Sequence, residues 1–343
     1  MPISKIQQNS IADSAVHGRR NLVINGDFAV DQRNGGSSIT PTNGQFSADR
    51  WKCSLSQASK FSVEQVTDAP VGFQNSVKLT SLSAYTPVSG DYFLIQQQLE
   101  GYTGAHLLYG TANAKTATLS FYVKSSLTGT FGGAIRNSNG YSRTYPFEYT
   151  INSANTWERK AITFAGDTSG TYLTTNGAGI KTTFSIGAGA DFKSTANAWA
   201  TNNDIAGSNA TDVVATNSAT WQLSGVQLEV GEATPFEHRS YGDELARCQR
   251  YCFVAYEDDT TTGYYACNLG TTSSQAVMHF AHPVEMRSAP TGTVNGNTVG
   301  NQSFTRHTKH HVCWGWGSTD GSGYAYFNNN TPPHKLYTLD AEL

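Results

Sequence analysis

Apolar and polar residues alternate along most of this chain, in short runs set off by Gly, Asn, Ser and Thr. The clearest run is TATLSFYVKSS, where Ala117, Leu119, Phe121 and Val123 share one face and Thr118, Ser120, Tyr122 and Lys124 the other. A period of two marks a half-buried β-strand. Trp51, Cys53 and Leu55 repeat it, as do Val77 with Leu79, Phe93 with Ile95 and Leu99, Ile162 with Phe164, and Phe184 with Ile186. In TWQLSGVQLEVG the parity changes, because Trp221 and Leu223 fall on one face and Val226, Leu228 and Val230 on the other. One extra residue flips the faces of a strand, so a bulge at Gly225 is expected to return all five to the core. About ten such strands without βαβ spacing predict an all-β protein, an antiparallel jelly-roll sandwich over residues 21–238.

Elsewhere the rhythm stops. Residues 1–20 are polar and carry no sustained apolar pattern, which predicts a flexible or partner-ordered arm. Residues 188–219 are rich in Ala, Asn, Ser, Thr and Gly with Trp199 in their midst, and so long a loop is usually functional or disordered. One helix is expected over 239–252. Ser240 can cap it with Asp243 three residues on. Tyr241, Leu245, Cys248 and Cys252 fall on one stripe, with Asp243 and Glu244 at the start and Arg247 and Arg250 towards the end. Strand-like segments then resume, and residues 253–343 read as a second, smaller β-domain.

Composition narrows the function. Charged residues make up 14% of the chain, against roughly 25% in ordinary globular domains. The net charge is −3 with scattered Lys and Arg, which excludes a broad grip on nucleic acid. Membrane insertion is not expected, since no apolar run approaches the roughly 20 residues needed. A signal peptide is not expected either, because the N-terminus lacks an apolar core. The five cysteines are odd in number and widely spaced, which fits synthesis in a reducing cytoplasm.

Catalytic signatures are absent: no GxSxG, no P-loop, no HExxH and no paired CxxC. The chain is therefore expected to be a binding protein, not an enzyme, and to need no cofactor. His279 with His282, and His307 with His310 and His311, are spaced so that on strands they point to opposite faces. Cys248 and Cys252 read as small core residues. Glu148, Glu158 and Glu229 lie on expected strands, and a glycosidase would need two such acids on opposing cleft walls. Sugar rings stack on Trp and Tyr while Asn, Gln and Arg supply directed hydrogen bonds. Tyr141, Arg143 and Tyr145 alternate on one face, Arg136 and Asn137 precede them, and with Trp199 they form the candidate carbohydrate surface. Packing in the core or at a subunit interface is the competing reading of the same residues. In the second domain, Trp314 and Trp316 with Val312 read as one core face, and Tyr324 with Tyr326 form a similar pair.

Seven segments, taken in order, resemble a family of phage tail-fibre and virion appendage proteins. They are NLVINGDFAVDQRNGG, ADRW, TATLSFYVKSS, NTWERKAITFAGDTSGTY, TWQLSGVQLEVGEATPFEHRSYGDELARCQRYC, PVEMRSAPTGTV and the terminal LDAEL. The resemblance implies a carbohydrate-binding-module-like jelly-roll that recognises host surface glycans. It also implies a homotrimer joined to other virion proteins through the arm KIQQNSIADSAV, and a location in the virion after assembly in the host cytoplasm. Related modules carry a structural calcium near their first and last strands, which points to Asp27 and Glu229 as oxygen donors. Cys252 and Phe253 stand where the family has a tyrosine-rich stretch, and residues 291–335 match no part of it. The alternatives are a purely structural capsid-decoration or tail-adaptor protein, and a glycan depolymerase.

Overall fold

The computed structural model describes residues 20–138, 142–257, 263–266, 268–269, 275–294, 301–317, 324–327 and 334–343. All but the last residue of the expected arm lies outside them, and so does Tyr141. The chain divides into two compact units, residues 1–241 with Leu343 and residues 242–342. No described helix is long and apolar enough to cross a membrane.

The described residues of the first unit contain twelve strands: β1 (Lys52–Leu55), β2 (Phe61–Val66), β3 (Ser76–Ser81), β4 (Tyr92–Glu100), β5 (Ala117–Ser125), β6 (Gly129–Asn137), β7 (Thr144–Ile151), β8 (Glu158–Phe164), β9 (Ala178–Ala188), β10 (Lys193–Ser194), β11 (Ala206–Gly207) and β12 (Thr220–Val230). They form two five-stranded antiparallel sheets, ordered β1-β4-β9-β6-β7 and β2-β3-β12-β5-β8, and a small parallel pair β10-β11. The two sheets face each other as an antiparallel jelly-roll sandwich. Its core is made by the alternation already legible in the sequence: Ala117, Leu119, Phe121 and Val123 are all fully buried. Across the sandwich the rings of Phe121 on β5 and Phe184 on β9 meet edge to face with centroids 5.0 Å apart, a favoured aromatic geometry.

The expected bulge is present. The pairing of β12 with β5 shifts between Ser224 and Gln227. Gly225 sits at φ +59°, and a Cβ there would come within 2.7 Å of the Phe73 ring. Trp221, Leu223, Val226 and Leu228 are all buried as a result, and Val230 is half-buried at the strand end.

Beyond the bulge, β3 no longer pairs with β12, and residues 21–26 take its place. Leu22 N–H donates to Leu228 O (2.9 Å) and Val226 N–H to Gly26 O (2.8 Å). The Asn21 side chain donates to Val226 O (3.0 Å) and accepts from Leu228 N–H (3.1 Å). From the facing sheet, Gln97 on β4 turns its amide inward, accepting from Ile24 N–H (2.8 Å) and donating to Ile24 O (2.6 Å). Asn25, at φ +56°, bonds Val30 on both sides of its amide and the Asp49 carbonyl, while Trp51 Nε1 donates to Asn25 O (2.8 Å). Arg239 closes the seam by donating to the Asn21 and Val23 carbonyls. The first and last segments of the unit thus satisfy each other's buried backbone groups.

The second unit begins at Gly242, within the helix Tyr241–Gln249, which carries Asp243 and Glu244 in its first turn and Arg247 in its last. The expected apolar stripe holds at Cys248, but Tyr241 is exposed and Glu244 is buried instead. Helical side chains lean towards the N-terminus, so one at the first position projects beyond the packed turns. Cys252 begins a strand and does not extend the helix. The strands are β13 (Cys252–Glu257), β14 (Gly263–Ala266), β15 (Asn268–Leu269), β16 (Gln275–Ala281), β17 (Thr291–Val294), β18 (Asn301–His307), β19 (His311–Gly317), β20 (Tyr324–Phe327) and β21 (His334–Asp340). They form sheets β13-β21-β17, β14-β20 and β15-β16-β19-β18. In register, Val312, Trp314 and Trp316 pair with Phe280, Met278 and Ala276. Tyr251, Cys252, Met286 and Leu339 are buried together with Cys248. Arg287 donates to the Ala341 and Glu342 carbonyls, which ties the MRSAP segment to the terminal LDAEL.

Candidate functional site

The outer face of the sheet β1-β4-β9-β6-β7 carries a cleft of about 370 Å³. It exists because inward and outward residues alternate. While Cys53, Phe93 and Ile95 fill the core, Lys52 and Ser54 on β1 and Tyr92, Leu94, Gln96 and Gln98 on β4 face the other way. Register extends this polar floor across the sheet: Lys52 pairs with Gln96 and Gln96 with Thr183. Gln98 pairs with Lys181, and Lys181 with Arg136 on β6.

The long segment 188–219 forms one wall. Phe192, Ile205 and Asn203 lean over the floor, and the Arg136 guanidinium donates to Asn203 Oδ1. Tyr92 and Phe192 meet edge to face at 5.4 Å beside the buried Leu94, Ala188 and Ile205. The loop is pinned throughout. Lys193 pairs with Asp212 (3.0 Å), Glu148 accepts from Asn209 N–H (2.8 Å), and Ser194 donates to Asp204 (2.7 Å). Thr144 and Ala200 exchange two backbone bonds.

The floor contains unmatched polar atoms. Gln96 is 6% exposed and its Nε2 donates to Ser54 Oγ (3.2 Å), but its Oε1 has no partner among the described residues. Thr183 Oγ1, on the neighbouring strand at the same level, is likewise buried and unmatched. Buried polar atoms are nearly always satisfied, and exceptions call for a ligand, a water or a functional reason. The arrangement offers amide, hydroxyl and cationic hydrogen-bonding groups beside an aromatic wall.

The residues singled out in the sequence occupy a different place. Arg143 grips Asp167 with two bonds, Nε to Oδ2 at 2.8 Å and Nη2 to Oδ1 at 2.7 Å. Burial raises the Asp167 carboxyl, but bonds from Arg143, Tyr172 OH and Ser169 N–H outweigh it and hold it below the usual range. Tyr145 is 7% exposed, its ring 5.3 Å from Phe164 and 5.5 Å from Trp199. Trp199 also meets Tyr109 at 5.9 Å and donates from Nε1 to Ala165 O (2.7 Å). These side chains do converge, and they plug the end of the sandwich. Tyr145 points inward with Phe147 and Tyr149 on β7, so it presents no free ring face.

Of the proposed calcium donors, Glu229 is buried on β12, where it accepts from Gln227 Nε2 and from the Thr234 N–H and hydroxyl at 2.7–2.8 Å. Asp27 is half-buried and accepts from Ala29 N–H at 3.4 Å. Among the described residues no three His, Cys, Asp or Glu side chains come together as a metal site. Glu148, Glu158 and Glu229 share no hydrogen-bond partner: Glu158 is held by Asn152, Ser153 and Lys160.

Sequence reasoning named Arg136 and the 188–219 loop but missed Lys52, Ser54, Tyr92, Gln96, Gln98 and Phe192. The available signal was the polar parity of β1 and β4 opposite Cys53, Leu55, Phe93 and Ile95.

No protein-family model and no curated protein matches the chain. Among solved structures it is similar to the enzymatically active domain of tailspike protein 4 from bacteriophage CBA120. That likeness has 15% identity and a TM-score of 0.35, and covers 63% of this chain and 22% of that one. It is also similar to a protein of Bacteroides thetaiotaomicron named a putative sugar binding protein, with 13% identity, a TM-score of 0.37, and coverage of 62% and 100%. A third is the module TmCBM61 in complex with β-1,4-galactotriose, at 14% identity and a TM-score of 0.31, covering 62% and 99%. At TM-scores of this size the jelly-roll is assigned from its own strand order and register.

Proposed function

We propose that the first unit is a glycan-binding module whose site is the cleft floored by Gln96 and walled by Tyr92 and Phe192. The observation that carries this reading is the buried Gln96 Oε1, an acceptor without a partner among the described residues on the floor of a cleft large enough for a ligand. Sugar hydroxyls donate to such acceptors, and the apolar faces of sugar rings pack on aromatic walls. The order of the sequence motifs supports a wider proposal, that the chain is a homotrimeric fibre or appendage component of a tailed-phage virion. In that role it would bind host surface glycan without cleaving it, and the separate commitments of Glu148, Glu158 and Glu229 favour binding over hydrolysis.

Titration of the full chain against a polysaccharide panel tests the site. Gln96→Ala and Tyr92→Ala are each expected to weaken binding about tenfold, equivalent to ~1.4 kcal/mol. Binding indifferent to both changes would place the site elsewhere. Light scattering tests assembly, and a monomer at micromolar concentration would end the trimer proposal.

A further inference from the structure

Building on the glycan-binding reading of this cleft, we infer that its ligand is a sugar carrying a methyl group, either the C6 methyl of a 6-deoxyhexose or that of an acetyl substituent. The floor strand β4 changes character along its length. Its outward positions run Tyr92, Leu94, Gln96, Gln98, so one half of the cleft is apolar and the other is lined by amides. Leu94 is the departure from pattern. The outer face of an antiparallel sheet is normally polar, and the residues paired with Leu94 obey that rule, Ser54 on β1 and Ser185 on β9. Phe93 and Ile95 on either side enter the main core, whereas Leu94 belongs to a separate cluster. It packs with Ala188 and Ile205, beside the half-buried rings of Tyr92 and Phe192.

Size and spacing specify the group. Leu94 is 3% exposed and Ile205 1%, and both border the cleft. What they leave uncovered is too small for the face of a sugar ring and suits a single methyl. The next outward residue is Gln96, whose Oε1 has no partner among the described residues. Two residues along a strand span about 7 Å, so one sugar can donate a hydroxyl to Gln96 and set a methyl on Leu94 at once. A sugar without the methyl would bring a hydroxyl to the same patch. Leu94, Ile205 and Phe192 offer it no side-chain hydrogen bond, and burying an unmatched hydroxyl is unfavourable. The apolar half of the floor thus selects for the methyl and against the hydroxyl in its place.

The test titrates the full chain with matched probes that differ in the methyl: methyl glycosides of L-fucose against L-galactose and of L-rhamnose against L-mannose, and O-acetylated glucomannan against its alkali-deacetylated form. The methyl-bearing member of at least one pair is expected to bind about fourfold or more tightly than its partner, the gain from burying one methyl. The deoxy pairs and the acetyl pair distinguish the two sources of the group. Leu94→Thr is expected to bring the ratio of the two affinities to about one, with a melting curve confirming the fold, and the volume-conserving Leu94→Met should retain the preference. A preference that survives Leu94→Thr would remove Leu94 as its origin and overturn the inference. Equal binding within every pair would overturn it too and leave the glycan reading standing. Binding to no member of any pair would overturn both.

Discussion

Gln96 and Gln97 are neighbours on β4, identical in chemistry and opposite in situation. Gln97 points into the sandwich, where both ends of its amide bond the Ile24 peptide. Gln96 points out into the cleft, where its carbonyl oxygen has no partner among the described residues. The first belongs to the seam that joins residues 21–26 to β12, the second to the candidate site. Seam groups are matched to one another and so contribute to folding. The cleft holds polar atoms short of partners, a state that lowers stability and is retained where a ligand completes it.

Breaking the seam is expected to have the largest effect. A Cβ on Gly26 would lie 2.1 Å from the Val226 carbonyl oxygen, so Gly26→Ala should cost upward of ~3 kcal/mol in urea unfolding. A loss below ~1 kcal/mol would show that the seam yields easily and contradict its framework role. Gln97→Leu strands the buried Ile24 N–H and carbonyl and is expected to cost about 2–3 kcal/mol. Trp199→Ala, at the plugged end of the sandwich, removes a half-buried ring and its bond to Ala165. About 2 kcal/mol is expected, less than for a fully buried Trp, together with faster hydrogen exchange in the 188–219 loop.

Acid sensitivity probes the framework beside the cleft. Burial raises the Asp91 carboxyl, but bonds from Tyr85, Ser56, Val88 N–H and Gln57 outweigh it and hold it at about 2. The folded state therefore favours the ionised form. The stability this contributes is complete above the ordinary carboxyl range near ~4 and is lost as pH falls through about 2. Asp91→Asn should flatten that acid limb, and an unchanged pH profile would remove Asp91 as its cause. The smallest effect sharpens the comparison most. Gln96→Leu gives up one bond to Ser54 and one unmatched acceptor, so stability should stay within ~1 kcal/mol of wild type while glycan binding falls. A loss matching that of Gln97→Leu would mean that Gln96 is framework too.

Residues from five of the seven sequence segments meet in the framework. Asn21, Asn25, Gly26, Asp49, Trp51, Val226 and Arg239 meet in the seam, and Met286, Arg287 and Ala341 meet in the second unit. None of the residues lining the cleft falls in any of those segments. This is why the fold was legible and the site was not: the segments that stand out in the sequence close the chain on itself, while the cleft is lined by residues between them.

The sequence by itself determined which residues share a strand face. Pleat alternation is covalent geometry and needs no partner, so Leu119 with Phe121, and the parity change at Gly225, were readable directly. It also placed Arg143 and Tyr145 on a common face. Which side of that face is inside was decided only by the sheet packed against it, and Tyr145 went to the core. The cleft likewise depends on tertiary structure, because its floor joins strands distant in sequence and its wall arrives from a loop. Arg136 meets Asn203 across 67 residues, and Tyr92 meets Phe192 across a longer span still. Contacts of that separation leave no periodic trace in the chain, since they exist only once both sheets have formed.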